Sequence, residues 1–249
     1  MKEDHRQRAI LHRLAGMRNS AGSPAAPIAT GFAALDEVLG GGLPRGQMVE
    51  IFGPAGCGKT TLAIQFSARA QRGGLTAAWI DADHTFDAAW AARLGIDGGA
   101  MPLAQPDTAE QALETANTLA ASAAVDLIVL DSAAALVPGL ERSVGIGGAP
   151  GLHSRIMASG LRKLSRTLAR SGTCMVFLNQ MRNRLDPAGA GGETSAGGPP
   201  LKLYAVVRLM MVPSKARHIT LRVLKNKVAA RIAERQLGWR QGEGFVESP

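Results

Sequence analysis

Residues 48–62, MVEIFGPAGCGKTTL, constrain this chain more than any other stretch. The apolar run 49–52 lacks helical spacing and reads as a buried strand. It leads into Gly53, Pro54, Ala55, Gly56, Cys57, Gly58, Lys59 and Thr60, which satisfy G-x-x-x-x-G-K-[ST] at every fixed position. A good helix former follows, closed by Gly73 and Gly74. Strand, glycine loop and helix in that order make a phosphate cradle. Its glycines let successive N–H groups turn inward at an anion, and the helix N-terminus adds partial positive charge. Lys59 supplies a point charge for the β- and γ-phosphates, and the Thr60 hydroxyl is a ligand for Mg²⁺. A chance glycine-rich turn would lack these flanks, so the stretch predicts a nucleoside triphosphate site.

The chain has 249 residues, enough for one large or two small domains, and its 46% hydrophobic content excludes wholesale disorder. Of its two cysteines, Cys57 lies in the glycine loop and Cys174 in a predicted strand. That placement argues against a disulfide and for a reducing compartment. The N-terminal segment is mixed in charge without the apolar core of a signal peptide, and Asp126 and Asp131 interrupt the longest apolar runs. The expectation is a cytoplasmic protein with no membrane partner. The net charge of +8 favours a polyanionic partner, although solubility alone would also account for it, so a located patch is required.

Residues 4–18 carry Ile10, Leu11, Leu14 and Met17 at helical spacing, and 19–27 read as a small-residue linker. The expected organisation is therefore an amphipathic helix and linker over 1–27, then a compact domain over 28–249. Within the latter, strands over 76–81, 126–131 and 173–180 alternate with helices over 86–94, 107–121 and 152–170. Asp107-Thr108-Ala109-Glu110 has the form of a capping box. Alternation of this kind predicts an α/β fold with a mostly parallel sheet and helices on both faces. Beyond Ala205, two strands separated by Pro213-Ser214-Lys215 predict an antiparallel edge extension. Two glycine-rich segments, 139–151 and 182–200, follow strands of the parallel sheet. Carboxyl ends of such strands carry ligands, so both segments are expected to flank the site.

Asp131 ends the apolar strand LIVLD, where a phosphate-loop enzyme places the acidic residue that holds Mg²⁺ directly or through water. Asp83 lies just past the neighbouring strand; it would orient the attacking water, or cap the next helix. Gln180 ends a third strand and would either touch a γ-phosphate and pull on the following loop, or cap the strand. Arg155, Arg162, Arg166 and Arg170 recur at steps that keep them on one helical face, while Ile156, Leu161, Leu164 and Leu168 point elsewhere. With Arg182 and Arg184 in the second glycine-rich segment, this face is either a solvated surface or a phosphate-backbone track.

Together these residues resemble bacterial RecA recombinases over residues 28–245. The resemblance runs through GPAGCGKTTL, IDADHTFDAAWAARLGID, QPDTAEQALE, VDLIVLDSAAALVP, GLHSRIMASGLRKLSRTLARSG, FLNQMR, GGETSAGGPPLKLYA and VLKNKVAA. It implies a RecA-type P-loop NTPase core with ATP and Mg²⁺ as cofactors. Gly53 through Thr61 would hold the phosphates, and Thr60 and Asp131 the metal. Asp83 stands where the family has its catalytic glutamate, and Gln180 where it has a γ-phosphate sensor. Trp90 and Asp87 fall at positions that meet adenine. Arg155 and Arg162 match DNA-contacting arginines, as does Arg182, with Arg184 beside it. Lys225 and Lys227 match lysines that reach ATP across a subunit interface.

The implied activity is that of a DNA-dependent ATPase. It would bind single-stranded DNA, associate with itself through the ATP interface, and act in homologous recombination and repair. Three departures stand beside it: Asp83 is one methylene shorter than glutamate, Asn183 replaces a typical methionine, and no apolar N-terminal docking strand is evident. The first and last favour an alternative, an ATP-binding RecA paralog that assists a recombinase or repair factor with little turnover. A helicase-type ring ATPase is the third reading.

Overall fold

The computed structural model describes residues 26–139, 151–183, 193–196, 198–214 and 217–247. The expected N-terminal helix, Arg184 and most of both glycine-rich segments lie outside them. The elements are α1 (Ala33–Leu39), β1 (Met48–Gly53), α2 (Lys59–Arg72), β2 (Ala77–Asp81), α3 (Ala88–Arg93), β3 (Leu103–Ala104), α4 (Ala109–Ala121) and β4 (Leu127–Asp131). There follow α5 (Leu152–Ser171), β5 (Cys174–Asn183), β6 (Glu193–Ser195), α6 (Pro199–Tyr204), β7 (Val207–Ser214), β8 (His218–Asn226), β9 (Glu234–Arg240) and β10 (Gly244–Glu247).

One sheet runs in the order β10-β9-β8-β7-β1-β5-β4-β2-β3, with β6 paired to β5. From β7 through β3 the neighbours are parallel. From β7 through β10 they are antiparallel, as the sequence predicted for the first two. Strand parity sorts the core onto two faces, because successive side chains alternate. Val49, Ile51, Trp79, Val129 and Val176 pack with α1 and α2, whereas Met48, Ile80, Ile128, Leu130 and Phe177 pack with α4 and α5. At Gly160 of α5, an added Cβ would sit 2.5 Å from Leu113 Cδ1, so glycine sets how closely α4 and α5 approach.

Several boundaries differ from expectation. Thr108 caps α4 by accepting from the Gln111 N–H, and Gln111 Oε1 reciprocates with Asp107 N–H. The reciprocal partner is therefore Gln111, while Glu110 accepts from Gly139 N–H. Pro213 and Ser214 belong to β7, and Arg182 to the tail of β5, paired with Thr194. Strands β9 and β10 were not anticipated. Their apolar residues, Leu237, Trp239 and Phe245, are scattered among charges and lack a continuous run. Both cysteines are buried and free. Among the described residues, no helix is long and apolar enough to cross a membrane.

The topology gathers Gly53, Asp81, Asp131 and Gln180 at one end of the sheet. Gly53 pairs with Gln180 and Asp81 with Asp131 in parallel register. All four stand at or near carboxyl ends of strands, where open α/β sheets bind ligands.

Candidate functional site

The cradle is built at the junction of β1 and α2. Gly58 caps α2 with φ +90°, and an added Cβ would lie 2.5 Å from the Phe245 ring. Glycine is required there both by the dihedral and by that approach. Lys59 Nζ donates to the carbonyl oxygens of Gly53 (3.2 Å) and Pro54 (2.7 Å), which holds the ammonium against the loop. Ala55 and Gly56 are exposed at the lip. Burial pushes the Cys57 thiol up, partly opposed by the neighbouring Lys59 ammonium.

Thr60 Oγ1 donates to Asp131 Oδ2 at 2.7 Å, joining the first turn of α2 to the end of β4. Asp131 is buried and its carboxyl is raised to about 6, chiefly by desolvation and further by the Asp83 and Asp81 carboxylates, against the Thr60 bond and Lys59. A hydroxyl and a carboxylate side by side are hard oxygen donors of the kind Mg²⁺ takes, usually with waters and substrate phosphates completing its shell. Beside them, Asp83 Oδ1 accepts from Ser132 Oγ at 3.3 Å, and the Asp83 N–H donates to Asp131 O at 3.2 Å. Asp83 does not cap α3. That position belongs to Asp87, whose Oδ1 accepts from Trp90 N–H at 2.9 Å. Asp81, which sequence reasoning passed over, accepts from Thr85 N–H, Phe86 N–H and Gln105 Nε2 and so fixes the loop that carries Asp83.

Trp90 is brought to the cradle, its Nε1 donating to Thr61 Oγ1 at 3.2 Å. Its ring lies 6.2 Å from that of Trp239, which meets Phe245 edge-on at 5.1 Å. Trp239 and Phe245 line a pocket of about 320 Å³ together with Gly56, Cys57, Gly58, Thr61, Arg217 and Ile219. Gln65 of α2 fastens β10 in place by donating to Phe245 O and accepting from Phe245 N–H. Trp239 and Phe245 are the site residues the sequence reading missed. No local motif marks them, because long-range strand pairing alone carries them over the cradle.

A family model described as the RecA N-terminal domain matches residues 11–246. Protein RecA of Rubrobacter xylanophilus is 45% identical over 240 residues, covering 92% of this chain and 70% of the relative. Protein RecA of Thermus thermophilus is 46% identical over 230 residues (88% and 68%), and that of Deinococcus radiodurans 42% over 230 (88% and 63%). The chain belongs to the RecA family. It spans about two thirds of the length of these relatives.

On this RecA-type P-loop core, the remaining predicted residues fall into two groups. Arg155, Arg162, Arg166 and Arg170 are exposed along α5, while Leu161, Leu164 and Leu168 are buried beneath them. Arg182 is exposed on β5, and Gln180 is exposed two residues before it. Lys225 and Lys227 lie elsewhere, at the end of β8. Lys225 Nζ donates to the carbonyls of Lys202 and Leu203 at the C-terminus of α6, and burial with Lys227 and Arg208 nearby lowers its pKa. Among the described residues, no hydrogen bond joins either lysine to the phosphate loop of its own chain.

Proposed function

We propose that this chain is a Mg²⁺- and ATP-dependent, single-stranded-DNA-binding ATPase of the recombinase type, acting in homologous recombination and DNA repair. The observation that carries this reading is the Thr60–Asp131 contact beside an intact phosphate loop, on a sheet whose strand β5 carries Gln180 and Arg182 near its end. Gly53, Pro54, Ala55, Gly56, Cys57, Gly58 and Thr61 line the phosphate cradle, and Lys59 neutralises charge on the terminal phosphates. Thr60 and Asp131 hold Mg²⁺, which supplies further neutralisation. Asp83 orients the attacking water, and Trp90, with Asp87 at its helix end, meets the base.

Gln180 reads the γ-phosphate end and transmits occupancy to the segment that follows it. Arg155, Arg162, Arg182 and Arg184 contact the DNA backbone. Lys225 and Lys227, remote from their own cradle, serve the site of a second copy of the chain, which makes self-association part of the reading. The Asp83–Ser132 bond favours a second reading, an ATP-bound paralog with little turnover that assists a recombinase or repair factor. It restrains a carboxylate already shorter than glutamate.

The test is equilibrium coupling. A fluorescent oligothymidylate is titrated with and without Mg²⁺ and a slowly hydrolysed ATP analogue, and the analogue is titrated with and without the oligonucleotide. Each ligand is expected to tighten the other by the same factor, since coupling is reciprocal. Unchanged affinities in both directions would refute the mechanism.

A further inference from the structure

Three strands converge on one buried carboxylate that the phosphate cradle does not use. Glu50, on β1 three residues before the loop, is 0% exposed. Its Oε2 accepts from Arg208 Nε on β7, and its Oε1 accepts from Asn179 Nδ2 on β5 at 2.9 Å. Arg208 also lies over the Phe52 ring at 4.8 Å and donates through Nη2 to Ser195 Oγ at 3.2 Å. Asn179 donates to the carbonyl oxygen of Ala196 at 3.0 Å, and its Oδ1 accepts from the Gln180 N–H at 2.9 Å. Gln180 closes the ring by accepting from Ala196 N–H at 2.9 Å.

The chain that re-enters at residues 195–196 is therefore fastened at three points. Two of them are held by side chains that Glu50 orients, and the third is Gln180 itself. An ion pair placed this deep is weak evidence for stability, because a well-packed apolar pair does as well. What it adds is direction. The planar guanidinium fork fixes Ser195 and Glu50 at once, and Asn179 spends both N–H donors and its oxygen on three different partners.

We infer that Arg208, Glu50 and Asn179 are positioning residues that lock Gln180 to the returning segment at Ser195 and Ala196. Through them, occupancy at the phosphate end of β1 and β5 and the placement of Ser195 and Ala196 become one event. The inference rests on the proposed function, since it concerns how nucleotide and DNA sites communicate.

The test compares wild type, Arg208→Lys and Ser195→Ala in the coupling titrations with oligothymidylate and the ATP analogue, beside thermal unfolding of each protein. Arg208→Lys keeps the charge but loses the fork. Ser195→Ala removes a single bond and leaves the Glu50 pair intact, so it reports even if Arg208→Lys fails to fold. Coupling of this kind is typically about 5–150-fold. Arg208→Lys is expected to reduce it by about tenfold, and Ser195→Ala by about threefold, with analogue affinity in the absence of DNA changed less than about twofold. Wild-type coupling that persists in full in the folded variants would overturn the inference and leave the functional reading standing. Absence of coupling in the wild type would overturn both.

Discussion

Replacing Asp83 with glutamate is expected to speed ATP hydrolysis. The Asp83 N–H is bonded to Asp131 O and its carboxylate to Ser132 Oγ, so backbone and head group are both tethered beside Asp131. With the backbone fixed, an added methylene carries the carboxylate up to about 1.5 Å farther from the main chain. Misplacement by about 1 Å costs on the order of 100-fold in rate. Restoring the reach should therefore raise the DNA-stimulated kcat by roughly 10- to 100-fold, equivalent to about 1.4–2.7 kcal/mol of barrier. Single-turnover hydrolysis, with the chain in saturating excess over ATP and oligothymidylate present, separates this chemical step from product release. Asp83→Asn, which keeps the size and loses the base, should fall below wild type by about 100-fold or more. If Asp83→Glu hydrolyses ATP no faster than wild type, Asp83 is not the residue that orients the water.

Other predictions follow from single contacts. The Asp131 carboxyl is raised from 3.8 to about 6, so the folded state holds that proton more tightly than the unfolded chain and loses stability as pH rises through 4 to 6. Without Mg²⁺, Asp131→Asn should therefore be more stable than wild type by roughly 2–3 kcal/mol at pH 7.5 and equal to it near pH 4 in urea unfolding, while magnesium-dependent nucleotide binding is lost. Gly58→Ala should cost roughly 2–4 kcal/mol and abolish nucleotide binding, from its positive φ and the clash with Phe245; full retention in calorimetric titration would refute that geometry. Arg162→Ala should lower the slope of log affinity against log salt for single-stranded DNA by about 0.7. Lys163→Ala, whose ammonium is paired with Glu114, should leave that slope unchanged.

The cradle was legible because its chemistry is local. Gly53 through Thr61 are contiguous, and LIVLD places Asp131 by strand length and parity alone. The arginine face of α5 followed from helical period in the same way, and the leucines behind it are buried as the period required. What escaped depends on pairing between distant segments. Trp239 and Phe245 reach Gly58 only because β9 and β10 extend the sheet and Gln65 ties them down. Glu50 gave no signal either: the strand reading over 49–52 passes over this one acidic residue, and its partner Arg208 lies 158 residues later.

The most direct test of the central claim is steady-state ATP hydrolysis by the wild-type chain and Lys59→Ala, each with and without single-stranded DNA. Turnover in the wild type is expected to rise with DNA and to be absent in the variant. Hydrolysis indifferent to DNA, or surviving the loss of Lys59, would contradict it.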